Sequence, residues 1–366
     1  MNKKIAIAAV LVVAIVVVAA VAVIFWPKSS QPTNVIYWTQ IAPVQQKANL
    51  QSGTVQGAVS WEPYVSDSLV DGTATVVKWS GQIWPHHPCC VVAVRYSTTF
   101  SKNATDMDLV ARVLRAHIDA TNWIVKTYQE GSGANYTALL NMGAVFSLRN
   151  TTVVASALAD TEYDYNLTTD VKVALTNFTE MFKSLGQFSD PSSYGGYSTA
   201  SAFINATVDT SYLTAAMSVT PSASILGTVR LGYLNGDLHQ FARVVASNTT
   251  IWGGQTLFEK YGVHITSPGP YANGPAVMGG FAAGVIDMGY LGAPPAILLK
   301  INAGTAIDIV ALANAEGSAI IAKSPITSLA DLVGKTVATP GPGSIQHLLL
   351  MYYVTQQGYQ LKLSGT

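Results

Sequence analysis

The chain has 366 residues, with 20 Lys+Arg against 20 Asp+Glu; only 11% of residues are charged while 49% are apolar. A neutral, charge-poor surface has no electrostatic grip on phosphate backbones, which excludes a nucleic-acid binder, and the apolar content excludes a disordered chain. The length allows more than one domain, and two cysteines, adjacent at Cys89 and Cys90, exclude a disulfide scaffold and a Cys-rich metal site.

Met1-Asn2-Lys3-Lys4 precedes an uncharged run from Ile5 to Trp26, followed by Pro27-Lys28. At ~1.5 Å per residue the run spans about 33 Å, enough for a ~30 Å hydrocarbon core. Lys3 and Lys4 stay inside by the positive-inside rule, so residues 1–32 are expected to be a membrane anchor and tether. The bulk of the chain then lies outside the cell membrane. A cleaved signal peptide is the competing reading, although its apolar region is normally only ~7–15 residues. Sequons at Asn103, Asn135, Asn150, Asn166, Asn177, Asn205 and Asn248 take seven of sixteen asparagines, which also favours export and makes these the glycosylation candidates.

From Asn34 onward short apolar strands alternate with helical patterns, the signature of an α/β fold. Strands are expected at Val35–Trp38, Ala58–Trp61, Val76–Trp79 and Cys89–Val94, with a helix from Ala42 to Gln51 closed by Gly53. Asp108 to Tyr128 reads as a long amphipathic helix carrying Leu109, Val113, His117 and Trp123 near one face. Residues 135–188 read as helical. Residues 189–226, rich in Ser, Thr and Gly and almost free of charge, read as a linker. A second α/β stretch follows, with strands at Val229–Leu234, Val263–Thr266, Val285–Leu291, Ile307–Ala313 and Thr336–Thr339, and an apolar helix from His347 to Val354.

Val229 to His239, including Tyr233-Leu234-Asn235-Gly236-Asp237, resembles the opening strand and loop of nitrate/sulfonate/taurine-type substrate-binding proteins of ABC transporters. Phe258-Glu259-Lys260-Tyr261-Gly262 is similar to that family's "LFEKYGL" element. Phe281 through Gly292-Ala293-Pro294-Pro295-Ala296 resembles its "F..G.iD.gylg.pPa" signature, and Asp331 through Gly343-Ser344 its second-lobe start. The later half of the family pattern is similar to segments at the beginning of this chain: Asn34 to Trp38, Gly57 through Trp61-Glu62-Pro63-Tyr64, and Trp84 to Cys90. The resemblance, over about 33–188 and 227–366, implies a circularly permuted, two-lobed periplasmic-binding-protein-like fold of type II. One lobe is expected from 33–97 with 323–366 and the other from 98–188 with 227–322, while 189–226 joins the ancestral termini. Two half-proteins completing one another in trans are the alternative.

The resemblance implies an extracytoplasmic protein that captures a small anionic or zwitterionic solute, such as a sulfonate, taurine or nitrate, for an ABC permease and ATPase. A ligand-sensing ectodomain, or an enzyme on the same fold, is the alternative. Gly341-Pro342-Gly343-Ser344-Ile345-Gln346 follows a strand and opens a helix, so its amides and dipole suit an anion, although Ser344 also reads as a plain N-cap. Leu234, Asn235, Gly236 and Asp237, with Gly292, Ala293 and Pro294, stand just past strand ends where open α/β sheets bind ligands; turn chemistry explains the same residues. Trp38, Trp61 and Glu62 are expected in the opposing wall, and Glu316 near a crossover suits an amine. His239 beside Asp237 joins the binding set without a nucleophile motif, so no catalytic residue and no cofactor are expected. His86-His87 and Cys89-Cys90 are not expected to hold a metal, because adjacent strand side chains point to opposite faces. Their cysteines read as buried thiols or a vicinal disulfide.

Overall fold

The computed structural model describes residues 34–97 and 100–365. The anchor and tether read over residues 1–32 lie outside the described residues. Among those described, no helix is long and apolar enough to cross a membrane.

The strands fall into two six-stranded sheets. In chain order they are β1 (Val35–Gln40), β2 (Gly57–Trp61), β3 (Thr75–Trp79), β4 (Pro88–Arg95), β5 (Thr161–Glu162), β6 (Gly227–Gly232), β7 (Val263–Thr266), β8 (Met288–Gly292), β9 (Ile307–Glu316), β10 (Ser318–Ala322), β11 (Thr336–Thr339) and β12 (Gln360–Leu363). The first sheet runs β12-β1-β11-β2-β10-β3, so it draws strands from residues 35–79 and 318–363. β1 is parallel to both neighbours, with Trp38 opposite Val337 on one side and Leu363 on the other. β11 and β2 continue the parallel ladder, and β10 is antiparallel to β2 and β3.

Period-two alternation explains why this sheet needs cover on both faces. Ile36, Val59, Ile320 and Val337 pack with Leu350 and Val354 of the helix Ile345–Gln356. Ala58, Ala319, Ile321 and Ala338 pack on the other face with Leu50 and Val65, from the helices Pro43–Ser52 and Tyr64–Val70. Burying each large aliphatic side chain contributes roughly 1.5–3 kcal/mol. Strands of the two chain segments alternate across this sheet, so no strand pairs with another from its own segment.

The second sheet runs β5-β9-β4-β8-β6-β7. Its largest covering element is the helix Ala104–Glu130, started by Asn103, whose side chain accepts from the Asp106 amide, and stopped by Gly131. Val110, Val113, Leu114 and Ile124 on its inner face are fully buried in the larger core.

Three placements correct the sequence reading. β4 lies in the second sheet, paired with β8 and β9, rather than in the lobe expected to run to residue 97. β10 lies in the first sheet rather than in the lobe expected to run to 322. Residues 189–226 are not a bare linker, because they contain the helices Ala200–Thr207 and Ser211–Met217, which bury Phe203, Ile204 and Tyr212. Of the sequon asparagines six are exposed and Asn248 is half-buried.

Candidate functional site

A cavity of about 80 Å³ lies between the sheets, walled by residues of both. Gln40 ends β1, Trp61 ends β2, Pro340 to Ser344 follow β11, Leu234 follows β6 and Gly292 ends β8. These are the carboxyl ends of parallel strands, where open α/β sheets leave a crevice. Cys89 and Cys90 join them because β4 runs antiparallel to β8, which brings its start to the same edge.

Three helices present their first residues to the cavity. Ser344, Ile345 and Gln346 open the helix Ile345–Gln356, Asn273, Gly274 and Pro275 open Gly274–Ala282, and Gly292 and Pro295 open Ala293–Ala303. Each N-terminus carries a partial positive charge. Pro275, Pro294 and Pro295 remove amide donors from two of them, so the helix after Ser344 is richest in free N–H groups. The Ser344 hydroxyl accepts from the His347 amide (3.1 Å) and donates to the Gly341 carbonyl (2.8 Å), while Gln346 Nε2 donates to Ser318 Oγ (3.0 Å). Among the described residues, no Lys or Arg lines this wall. Trp61 lines it, and its buried indole N–H has no hydrogen-bond partner among the described residues.

The polar floor is a buried cluster. Cys89 Sγ stands 3.2 Å from His239 Nδ1, and His239 Nε2 is 2.8 Å from the Gly317 carbonyl. Asp237 accepts from the His239 amide (3.0 Å) and from Gln240 Nε2 (3.2 Å), and lies 4.0 Å from Cys90 Sγ. Burial raises the Cys89 thiol, but the Cys90 thiol and the His239 ring outweigh it and hold Cys89 well below the usual thiol range. Cys90 is pushed well above that range by Cys89 and by burial. His239 rises to about 9 because Cys89 and Asp237 together outweigh desolvation. Desolvation lifts Asp237 to about 6. The arrangement is a buried Cys89–His239 pair, the thiol lowered and the ring raised by one another, beside the Asp237 carboxyl.

Both thiols reach the cavity because β4 is irregular. Pro88 pairs with Ala315 and Cys90 with Asn314, so an extra residue is inserted at Cys89. Such a bulge rotates one side chain out of strict alternation. Asn314, fully buried, fixes the bulge by accepting from the Cys90 amide (3.0 Å) and donating to the Ala315 and Glu316 carbonyls. This corrects the expectation that adjacent cysteines must diverge.

Of the residues singled out in the sequence, Leu234, Asp237, His239, Gly292, Gly343, Ser344, Ile345, Gln346 and Trp61 line the cavity together. Seven do not. Trp38 packs edge-on against His347 (4.5 Å between ring centroids), and Asn235 is exposed with Gly236 beside it in the turn. Ala293 and Pro294 are buried within their helix start. Glu316 accepts from the His86 amide (2.8 Å). Glu62 is fully buried and bonded to the amide and hydroxyl of Ser66, and desolvation raises its carboxyl to about 8. Sequence reading missed Gln40, Asn273 and the thiols. Gln40 ends a strand and Asn273 precedes a helix, a signal that could have marked them; the thiols depend on a bulge.

Residues 28–137, under a third of the chain, match the model of the NMT1-like family. That is a binding-protein family, generally without enzymatic activity. The match supports likeness to nitrate/sulfonate/taurine binding proteins and solute binding for ABC transport. No curated protein and no solved structure matches the chain.

Proposed function

We propose that the chain is an extracytoplasmic solute-binding protein that holds a small anionic or zwitterionic solute between its lobes and delivers it to an ABC permease and ATPase. Residues 5–26 anchor it in the membrane in this reading. The cavity bounded by three helix N-termini carries the proposal, because converging dipoles suit an oxyanion without a lysine or arginine. The unpartnered Trp61 N–H is a further donor, and Asp237 suits an amine at the other end of a zwitterion. At ~10–15 Å³ per water-sized probe, about 80 Å³ suits a solute of taurine size or smaller.

The interleaved first sheet favours a circularly permuted arrangement. β1 lies between β11 and β12, so segments from opposite parts of the sequence complete one lobe. The site residues then come from both parts, as the order of the family-like motifs implies.

A thermal-shift screen of sulfonates, taurine, nitrate, bicarbonate and pyrimidine-like compounds tests the reading, with the protein first treated with a chelator. A solute at 100 times Kd adds ~2.7 kcal/mol of stability. Trp61→Phe keeps the ring and deletes the N–H, and should weaken the best hit several-fold, as expected for a hydrogen bond of ~0.5–1.5 kcal/mol. A folded sample whose melting temperature none of these compounds raises would overturn the proposal.

A further inference from the structure

We propose that Cys89, Cys90 and His239 form a binding site for a thiophilic divalent cation of the zinc class, with a fourth coordination position open to the cleft. One Sγ from each cysteine and one ring nitrogen of His239 all lie within 4.8 Å of one another. Metal–ligand bonds of about 2.3 Å to sulfur and about 2.0–2.1 Å to nitrogen place tetrahedral donors roughly 3.5–3.8 Å apart. The Cys89 Sγ to His239 Nδ1 separation of 3.2 Å is close to that edge. Only small side-chain adjustments separate the three donors from a tetrahedral face.

The surroundings supply what a ligating histidine requires. His239 Nε2 donates to the Gly317 carbonyl at 2.8 Å, which orients the ring and leaves Nδ1 facing the thiols. A backbone acceptor behind the ring is the usual support for such a ligand. Asp237 adds negative charge, with its oxygens held by the His239 amide and Gln240. Two thiolates neutralise a divalent ion in a site where Cys89, Cys90 and His239 are all nearly inaccessible. Sulfur donors select against magnesium and calcium, which take oxygen ligands. All three ligands line the inter-sheet cavity, which gives the ion an entry path and leaves its open side toward the helix after Ser344. On binding, any proton held on either sulfur or on Nδ1 leaves to solvent, so occupancy falls as pH is lowered. The three donors line the same cavity that the proposed solute occupies, but recognition of the ion by sulfur and imidazole does not require that solute.

The test uses the full chain, reduced, stripped with a chelator and titrated with Co²⁺ without oxygen. One equivalent should bind, with thiolate-to-cobalt charge-transfer absorption and the visible bands of a tetrahedral ion, and Zn²⁺ should displace it. Cys89→Ser, Cys90→Ser and His239→Gln should each weaken binding at least ~10-fold, the lower range found even for supporting residues around a metal. Circular dichroism checks that each variant folds. Should one fail to fold, the wild-type chain still decides the matter, because Zn²⁺ should protect both cysteines from alkylation as read by peptide mass. Absence of a thiolate band, or alkylation unchanged by Zn²⁺, would overturn the proposal. The solute screen on chelator-treated protein reads separately, so failure of one proposal leaves the other standing.

Discussion

His117 illustrates how a single buried side chain sets a pH response. It sits on the inner face of the helix Ala104–Glu130, with Nε2 2.9 Å from the Leu312 carbonyl and Nδ1 3.1 Å from the Tyr290 hydroxyl. The neutral ring satisfies both contacts, donating to the carbonyl and accepting from the hydroxyl. Desolvation therefore lowers its pKa to about 4, and His347, against Thr339, is lowered to about 4 by the same cause. An unfolded histidine titrates near ~6.5, so between pH 6.5 and 4 the unfolded chain binds more protons and stability falls as pH falls. For His117 the loss from pH 7 to pH 5 is about 2 kcal/mol. Glu62 has the opposite sign. Its carboxyl is raised to about 8, so the folded state binds the extra proton and gains stability as pH falls from 8 toward its unfolded value. The two effects partly cancel in the whole protein, so the comparison must be made against a variant. Urea unfolding at pH 7 and pH 5 should show a pH sensitivity about 2 kcal/mol smaller in His117→Gln than in wild type. Equal sensitivities would mean that His117 titrates in the folded protein as it does in the unfolded chain.

At the scale of elements, the bulge in β4 decides what the cleft can do. Asn314 closes it with three hydrogen bonds, and its side chain is fully buried. Asn314→Ala removes the Cys90 amide's bond to the side chain and two bonds to the Ala315 and Glu316 carbonyls, and should destabilise by about 1–3 kcal/mol while making Cys90 faster to alkylate. A variant with wild-type unfolding and wild-type alkylation would show that the bulge needs no such support. The strands themselves were legible: Val35–Trp38, Ala58–Trp61, Val76–Trp79 and Thr336–Thr339 are apolar runs bounded by turn residues, and each falls within or at a strand. Strand ends were less so. The third strand of the second stretch begins at Met288 rather than Val285, which is 43% exposed, because Asp287 pairs with Arg230 at the boundary and Gly284 turns the chain before it. The helices in 189–226 were hidden by composition. Their stability comes from a cap, Thr199 accepting from the Ala202 amide, and from burying Phe203, Ile204 and Tyr212, none of which a Ser/Thr-rich average registers. The bulge left no local signal, since its cause is an asparagine 224 positions along the chain.

On the scale of the whole molecule, the described chain passes between the sheets at Trp84–Pro88 and again at Glu316–Ser318. Short crossings between two sheets are where a hinge bends. Gly317 ties the crossing together. Its carbonyl accepts from the Glu62 amide of the first lobe (3.0 Å) and from His239 Nε2 of the second (2.8 Å), and the Leu238 amide donates back to the Glu62 carbonyl (3.3 Å). Its φ of 76° lies in the left-handed region, and a Cβ built there would run into His239 Nε2 and stand 3.0 Å from Thr161 Oγ1. Alanine therefore meets both a strained backbone and an occupied volume, and the group displaced is the histidine that floors the cleft. Gly317→Ala should cost about 1–3 kcal/mol in unfolding free energy from backbone strain, before any loss of packing. Hydrogen exchange should accelerate at the Glu62 and Leu238 amides, which bond across the crossing, while Val113 and Leu114 in the second core keep their protection. That contrast separates a loosened hinge from general destabilisation, in which the core amides would accelerate as well. Exchange at Glu62 and Leu238 identical to wild type would mean that Gly317 does not join the lobes.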